Sequence, residues 1–233
     1  MRIDILRKFK LDNITLIASL PDMGKVGGIV TEHIAKKMGA VDAGTITLSD
    51  KPWVNQKDGV IETPTDKYRF LVDEKNALVV FTGESQPQES NAVIDLAENV
   101  LNTTLEFGKV NRVITAGGYM PMQRIGGDEV YCVATSPHII EKLKNHNIGL
   151  LDSDVKSITW FNGLILGAAK ARGIDGIGLF GEIQDMELPQ YRAARNIVNK
   201  IERILDIKIG TDELDQKIQV RTPEIKKDGP GIG

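Results

Sequence analysis

Cysteine occurs once in this chain, at Cys132, so no intrachain disulfide and no cysteine metal cluster can form. Histidine is nearly as scarce. His33, His138 and His146 are the whole supply, and all three fall in expected helices or at a helix end. His138 and His146 share a short helix without acidic partners in ligand spacing, which makes a poor metal site. Long apolar runs are missing too: the longest are of strand length, far short of the about 20 residues that cross a bilayer. The opening segment, Met1-Arg-Ile-Asp-Ile-Leu-Arg-Lys8, alternates charge with apolar residues and has no signal-peptide core. Neither sign of charge dominates. With 29 Lys and Arg against 32 Asp and Glu, the net charge is -3, which gives no electrostatic footprint for nucleic acid or an anionic membrane. These scarcities lead to the expectation of a soluble, cytoplasmic protein without metal or cofactor.

What the chain does have is 41% apolar residues over 233 positions, enough for the core of one α/β domain. Three apolar runs each end in a Gly- or Pro-rich turn. Ile14-Thr-Leu-Ile-Ala-Ser19 leads into Leu20-Pro-Asp-Met-Gly-Lys-Val-Gly-Gly28. Ala77-Leu-Val-Val-Phe-Thr82 leads into Gly83-Glu-Ser-Gln-Pro-Gln88, and Asn111-Arg-Val-Ile-Thr-Ala116 into Gly117-Gly-Tyr-Met-Pro-Met-Gln-Arg124. Buried strands ending in such turns mark the carboxyl edge of an open parallel sheet, where α/β folds place their sites.

The pattern predicts strands near 14–19, 43–48, 77–82, 111–116, 129–135 and 174–180, and helices near 25–38, 88–107, 160–171, 189–205 and 211–219. Ser136-Pro137 opens a further short helix. Ser85, or a residue just after it, is the expected cap of the 88–107 helix, whose inward face runs from Val93 to Leu105. Between the second and third strands, Val60–Glu62 and Tyr68–Asp73 flank a polar turn at Pro64, a small β-hairpin insertion. Gly163, Gly167 and Ala171 recur every four positions and suit tight helix packing. The architecture expected is a three-layer α/β/α sandwich with a mostly parallel sheet, in one domain.

Catalytic motifs fail when tested. A phosphate-binding P-loop needs a glycine five residues before its Gly-Lys pair and Ser or Thr after it. Gly24-Lys25 has Ser19 and Val26 there instead, and the dinucleotide fingerprint fails as well. Backbone amides at a helix start, with Lys25 beside them, still suit an anion; the alternative is that the glycines only shape a tight turn. Gly83-Glu84-Ser85 lies where a nucleophile elbow would, but Pro87 replaces its second glycine. Asp22, Glu84, Asp128 and Glu182 fall near strand ends, and Arg124 is the cation of the third loop. Trp160, opening an apolar helix, reads most simply as core, and the 189–205 helix as an oligomer or partner surface.

Four motifs, in order, resemble one family. Pro21-Asp-Met-Gly-Lys-Val-Gly27 is similar to its "PDMG-x-VG" loop, and Gly83-Glu-Ser-Gln-Pro87 to its "GEPQP"-type turn with Ser85 for the usual proline. Gly117-Gly-Tyr-Met-Pro121 resembles its third glycine loop, and Gly163–Glu182 its helix–strand stretch. The family is the PAC2, or proteasome-assembly-chaperone, group found in archaea and actinobacteria. The resemblance runs from about residue 10 to about 207 and implies a nucleoside-phosphorylase-like sandwich; the Lys, Pro and Gly content of 220–233 leads to the expectation of a flexible polar tail after one domain at 1–219. The resemblance also implies a non-catalytic homo-oligomer that binds proteasome α subunits. Proteasome-docking proteins often end in a hydrophobic residue, tyrosine and one more residue; this chain ends Pro230-Gly-Ile-Gly233. Docking through a folded surface, or no docking of that kind, are the two alternatives. A second reading makes the glycine-loop crevice a site for a small ligand such as a nucleotide or phosphometabolite, or for a hydrolase- or phosphorylase-like enzyme. It would be lined by Asp22, Gly24, Lys25, Glu84, Gln86, Gly117, Gly118, Arg124 and Glu182. A third leaves the loops to packing alone.

Overall fold

The computed structural model describes residues 1–122 and 128–221. In chain order it contains β1 (Arg2–Ile5), β2 (Leu11–Ala18), α1 (Val26–Lys37), β3 (Val41–Leu48), β4 (Asn55–Lys57), β5 (Val60–Glu62), β6 (Asp66–Asp73) and β7 (Leu78–Gly83). There follow α2 (Ser90–Phe107), β8 (Gly108–Tyr119), β9 (Val130–Ala134), α3 (Pro137–Lys144), β10 (Gly149–Leu150), α4 (Trp160–Ala171), β11 (Asp175–Glu182), α5 (Tyr191–Leu205) and α6 (Asp212–Arg221). Nine strands make one sheet in the order β1-β3-β6-β7-β2-β8-β11-β9-β10. The central strands β7, β2, β8 and β11 run parallel, as expected. Antiparallel pairs β1–β3, β3–β6, β6–β7 and β9–β11 flank them.

Two hydrophobic cores explain the layering. Ile14, Leu16 and Ala18 of β2 face one side, against α2 and α4, while Ile17 faces the other. That alternation is the two-residue period of a strand. The second core gathers α1, α3, α5 and α6 against the opposite face. Strand β7 is buried along its whole length, the reason its sequence is an unbroken apolar run rather than an alternating one.

Several expectations are corrected. The hairpin pairs Asn55–Lys57 with Val60–Glu62, turning on Asp58-Gly59, both at positive φ. Asp-Gly is the strongest short hairpin signal and outweighs the polar stretch at Pro64. Tyr68–Asp73 instead belongs to β6, an inner strand of the main sheet. The apolar face of α5 is no partner surface, because Ala194, Ile197, Val198 and Ile201 are fully buried in the second core. Leu105 of α2 is exposed. Ser85 does not cap α2; its hydroxyl donates to Asp66 Oδ1 at 2.8 Å. Of the small residues on α4, Gly163 backs onto the Ile158 carbonyl, but Gly167 has open space beside it. The expected tail lies, beyond residue 221, outside the described residues.

Candidate functional site

Parallel pairing brings the carboxyl ends of β2, β7, β8 and β11 to one edge, so the three glycine loops become neighbours. The first and third loops meet on Asp22. Its Oδ1 accepts the Gly27 amide at 2.9 Å, and its Oδ2 accepts the Gly118 amide at 2.6 Å. One carboxyl thus ties the start of α1 to the end of β8. Burial pushes its pKa from 3.8 up to about 7, opposed by the amides of Gly27 and Gly118, which favour the ionised form.

Two neighbouring side chains lock the same strand ends. Ser19 Oγ accepts the Ala116 amide at 2.7 Å. Asn162 of α4, 4% exposed, accepts from the Leu20 amide at 2.9 Å and donates to the Leu20 and Ala116 carbonyls, each at 3.1 Å. Close approach explains two glycines. A Cβ on Gly27 would stand 2.6 Å from the Leu20 carbonyl, and one on Gly117 would stand 2.8 Å from Asp22 Oδ2.

Beside Asp22 opens a cleft of about 860 Å³, within the range of small-molecule sites. Asp22, Gln86 and Gly118 line it, together with Tyr119, Trp160 and Phe180. Trp160 is not core: it is 47% exposed. It opens α4 at φ +59°, a strained backbone for a bulky residue. Strain of that kind is concentrated where the surrounding structure holds a side chain in place for use.

The remaining expected site residues lie elsewhere. Gly24, at φ +65°, would press a Cβ onto Gln190. Lys25 is exposed. The amides of Gly24 and Lys25 are taken by the Met186 and Asp22 carbonyls, at 2.6 and 2.9 Å. Glu84 lines a separate cavity of about 520 Å³ with Glu32, Asp66, Arg69 and Ser85. Asp66 also belongs to a nearly buried ion cluster, in which Lys51 Nζ stands 2.7 Å from Asp66 and 3.5 Å from Asp50. Gly117 backs onto Asp22 and Phe180. Glu182 is 3% exposed and, among the described residues, neither of its carboxyl oxygens has a hydrogen-bond partner. It pairs in register with Tyr119, whose ring meets that of Tyr131 edge-on at 5.2 Å. Burial first, then Glu182 and nearby carboxylates, raises the Tyr131 hydroxyl above its ordinary pKa. Arg124 lies outside the described residues.

Asn162 and Ser19 escaped the sequence reading. A single polar residue among Trp160-Phe-Asn-Gly-Leu-Ile-Leu166 was the signal available for Asn162. A buried amide in an apolar helix needs backbone partners, and loop carbonyls supply them.

A sandwich of this topology, with loops tied at the carboxyl edge, matches known proteins. The model of the PAC2 family matches residues 16–227, and the chain belongs to that family. An uncharacterized protein of Methanocaldococcus jannaschii, MJ1210, is 30% identical over 229 residues, covering 96% of this chain and 87% of that one. Among solved structures, Pyrococcus furiosus PbaB, described as an archaeal proteasome activator, is similar at a TM-score of 0.79 and 24% identity, with 94% of each chain covered. Pyrococcus furiosus PbaA, described as an archaeal homolog of proteasome-assembly chaperone, is similar at 0.76 and 21%, with 94% of this chain and 87% of that one covered. At these identities the two structures show a shared fold.

Proposed function

We propose that this protein is a non-catalytic, proteasome-assembly-chaperone-like factor that binds proteasome α subunits as a homo-oligomer. The family match across residues 16–227 carries the reading. The descriptions of PbaB and PbaA support a proteasome partner, the relative in Methanocaldococcus jannaschii supports an archaeal source, and the reading places the protein in the cytoplasm. Residues 1–219 act in this reading as one folded unit. The hairpin adds a physical reason, because Trp53, Val54, Val60 and Ile61 crowd exposed apolar surface onto one short projection. Exposed apolar surface gathered in one place is the kind that protein contacts use.

Native mass spectrometry of the protein mixed with proteasome α subunits from the same source tests the reading. A defined complex is expected, weakened at least about tenfold when Trp53 and Ile61 are both changed to Ser, as for loss of a buried apolar anchor. Absence of a complex with the wild-type chain would overturn the reading.

A further inference from the structure

The cleft beside Asp22 has a composition that selects a ligand, and it goes beyond the binding of proteasome subunits. Its walls are aromatic and aliphatic: Trp160 and Phe180 present rings, and Ile158 with the prolines of the first two loops adds apolar surface. Asp22 is the acid among them, and none of the described residues lining the cleft is basic. Lys156, in the lining segment's own chain stretch, is not part of the lining, and its ammonium donates to the Ser153 carbonyl at 2.7 Å. Among the described residues, a phosphate or carboxylate would therefore enter against a carboxyl group and meet no cation. A flat ring bearing an amine meets the opposite situation: aromatic faces attract a cation, and a carboxylate accepts its protons.

The geometry around Asp22 agrees. Each carboxyl oxygen receives one backbone amide, Asp22 lines the cleft, and a carboxylate has about four lone-pair sites, more than two amides fill. A carboxyl that titrates near neutrality gives up its proton readily when an ammonium arrives to replace it. Gln86 stands in the same lining and holds the start of α4 through the Phe161 amide, at 3.4 Å.

We propose that the cleft between the first and third glycine loops is a binding site for an arylalkylamine, a flat aromatic ring carrying an alkylammonium group, its ring against Trp160 and Phe180 and its ammonium on Asp22. The ligand class is cationic, not phosphorylated. The Trp160 backbone strain has a use in this arrangement, since it holds the ring over the cleft instead of in the core.

Isothermal titration of the full chain with three probes that share one ring tests the proposal: tryptamine, indole and indole-3-acetate. Tryptamine is expected to bind about tenfold more tightly than indole, the worth of one charge-assisted hydrogen bond, and indole-3-acetate more weakly than either. Asp22→Asn should erase the advantage of tryptamine while indole binding persists. Because that variant also loosens the loop tie, Trp160→Ala serves as the second test. Trp160 is half exposed, so the fold tolerates its loss, and all three probes should bind at least about fivefold more weakly, as for loss of a stacking platform. Equal affinity of tryptamine and indole-3-acetate, or no tryptamine binding at millimolar concentration, would overturn the proposal. So would unchanged tryptamine binding by a folded Trp160→Ala protein.

Discussion

Two cavities share one sheet edge and are built on opposite plans. The cleft beside Asp22 is walled by rings and apolar side chains, and its one carboxyl is anchored by backbone amides alone. Around the other cavity, charge answers charge within the protein. Lys51 pairs with Asp66 and Asp50, Ser85 donates to Asp66, and the Gln88 amide donates to Asp50 at 2.7 Å. Lys51 lies against both carboxylates as an ion pair, although Asp50 Oδ1, Asp66 Oδ2 and the Tyr68 hydroxyl make no hydrogen bond among the described residues, and the cluster braces the second loop against β6 and the 50–51 segment. A carboxyl held only by amides keeps lone pairs to spare. Loops of one sequence type, strand followed by glycine turn, thus surround two different polar arrangements, one carboxyl held by backbone amides and one cluster built on an ion pair.

The largest expected effect tests the strut. Lys51→Met would leave two nearly buried carboxylates facing each other unpaired, and urea unfolding should show a loss of about 4 kcal/mol, as for one partner removed from a buried ion pair. A loss below about 1 kcal/mol would rank the cluster with surface salt bridges. Next comes the strap on the cleft side. Asn162→Ala strips partners from the Leu20 amide and from the Leu20 and Ala116 carbonyls, and should cost about 3 kcal/mol in the same assay.

Asp22 gives a smaller, pH-dependent effect with an unusual sign. Its carboxyl is held at about 7 in the fold against 3.8 ordinarily, so the folded chain keeps a proton that the unfolded chain sheds. The stability from that proton is complete below the unfolded value and is lost as pH rises to about 7. Between about pH 5 and pH 8 the wild-type chain should therefore lose about 2 kcal/mol more than Asp22→Asn does. The smallest effect lies further along α4, outside the cleft lining. Gly167 sits inside α4 with open space where a Cβ would stand, so Gly167→Ala should raise stability by about 0.7 kcal/mol. Gly163→Ala, pressed against the Ile158 carbonyl, should lower it.

Much of this was legible in the residues, and the exceptions have physical causes. Long apolar strands and amphipathic helices report themselves by periodicity, so the central parallel strands and α5 were found where they lie. β1 was missed because Arg2-Ile-Asp-Ile5 is an exposed edge strand with no buried face to impose a pattern. Tyr68–Asp73 was recognised as a strand and assigned the wrong neighbours, since strand order is decided by tertiary pairing that no local pattern encodes. Of the cleft, Asp22, Gln86 and Gly118 were found through their loops. Trp160 was misread because apolar neighbours predict burial, while its left-handed backbone turns the ring outward.

The proposed site and its contrast with the ion cluster both rest on Asp22 being held between two loops. Carbon-13 NMR titration of the Asp22 side-chain carboxyl measures that directly. A midpoint close to 7 is expected if burial between the Gly27 and Gly118 amides governs the group. A midpoint near the ordinary 3.8 would mean a solvated carboxylate, loops that do not meet there, and no cleft of the kind described.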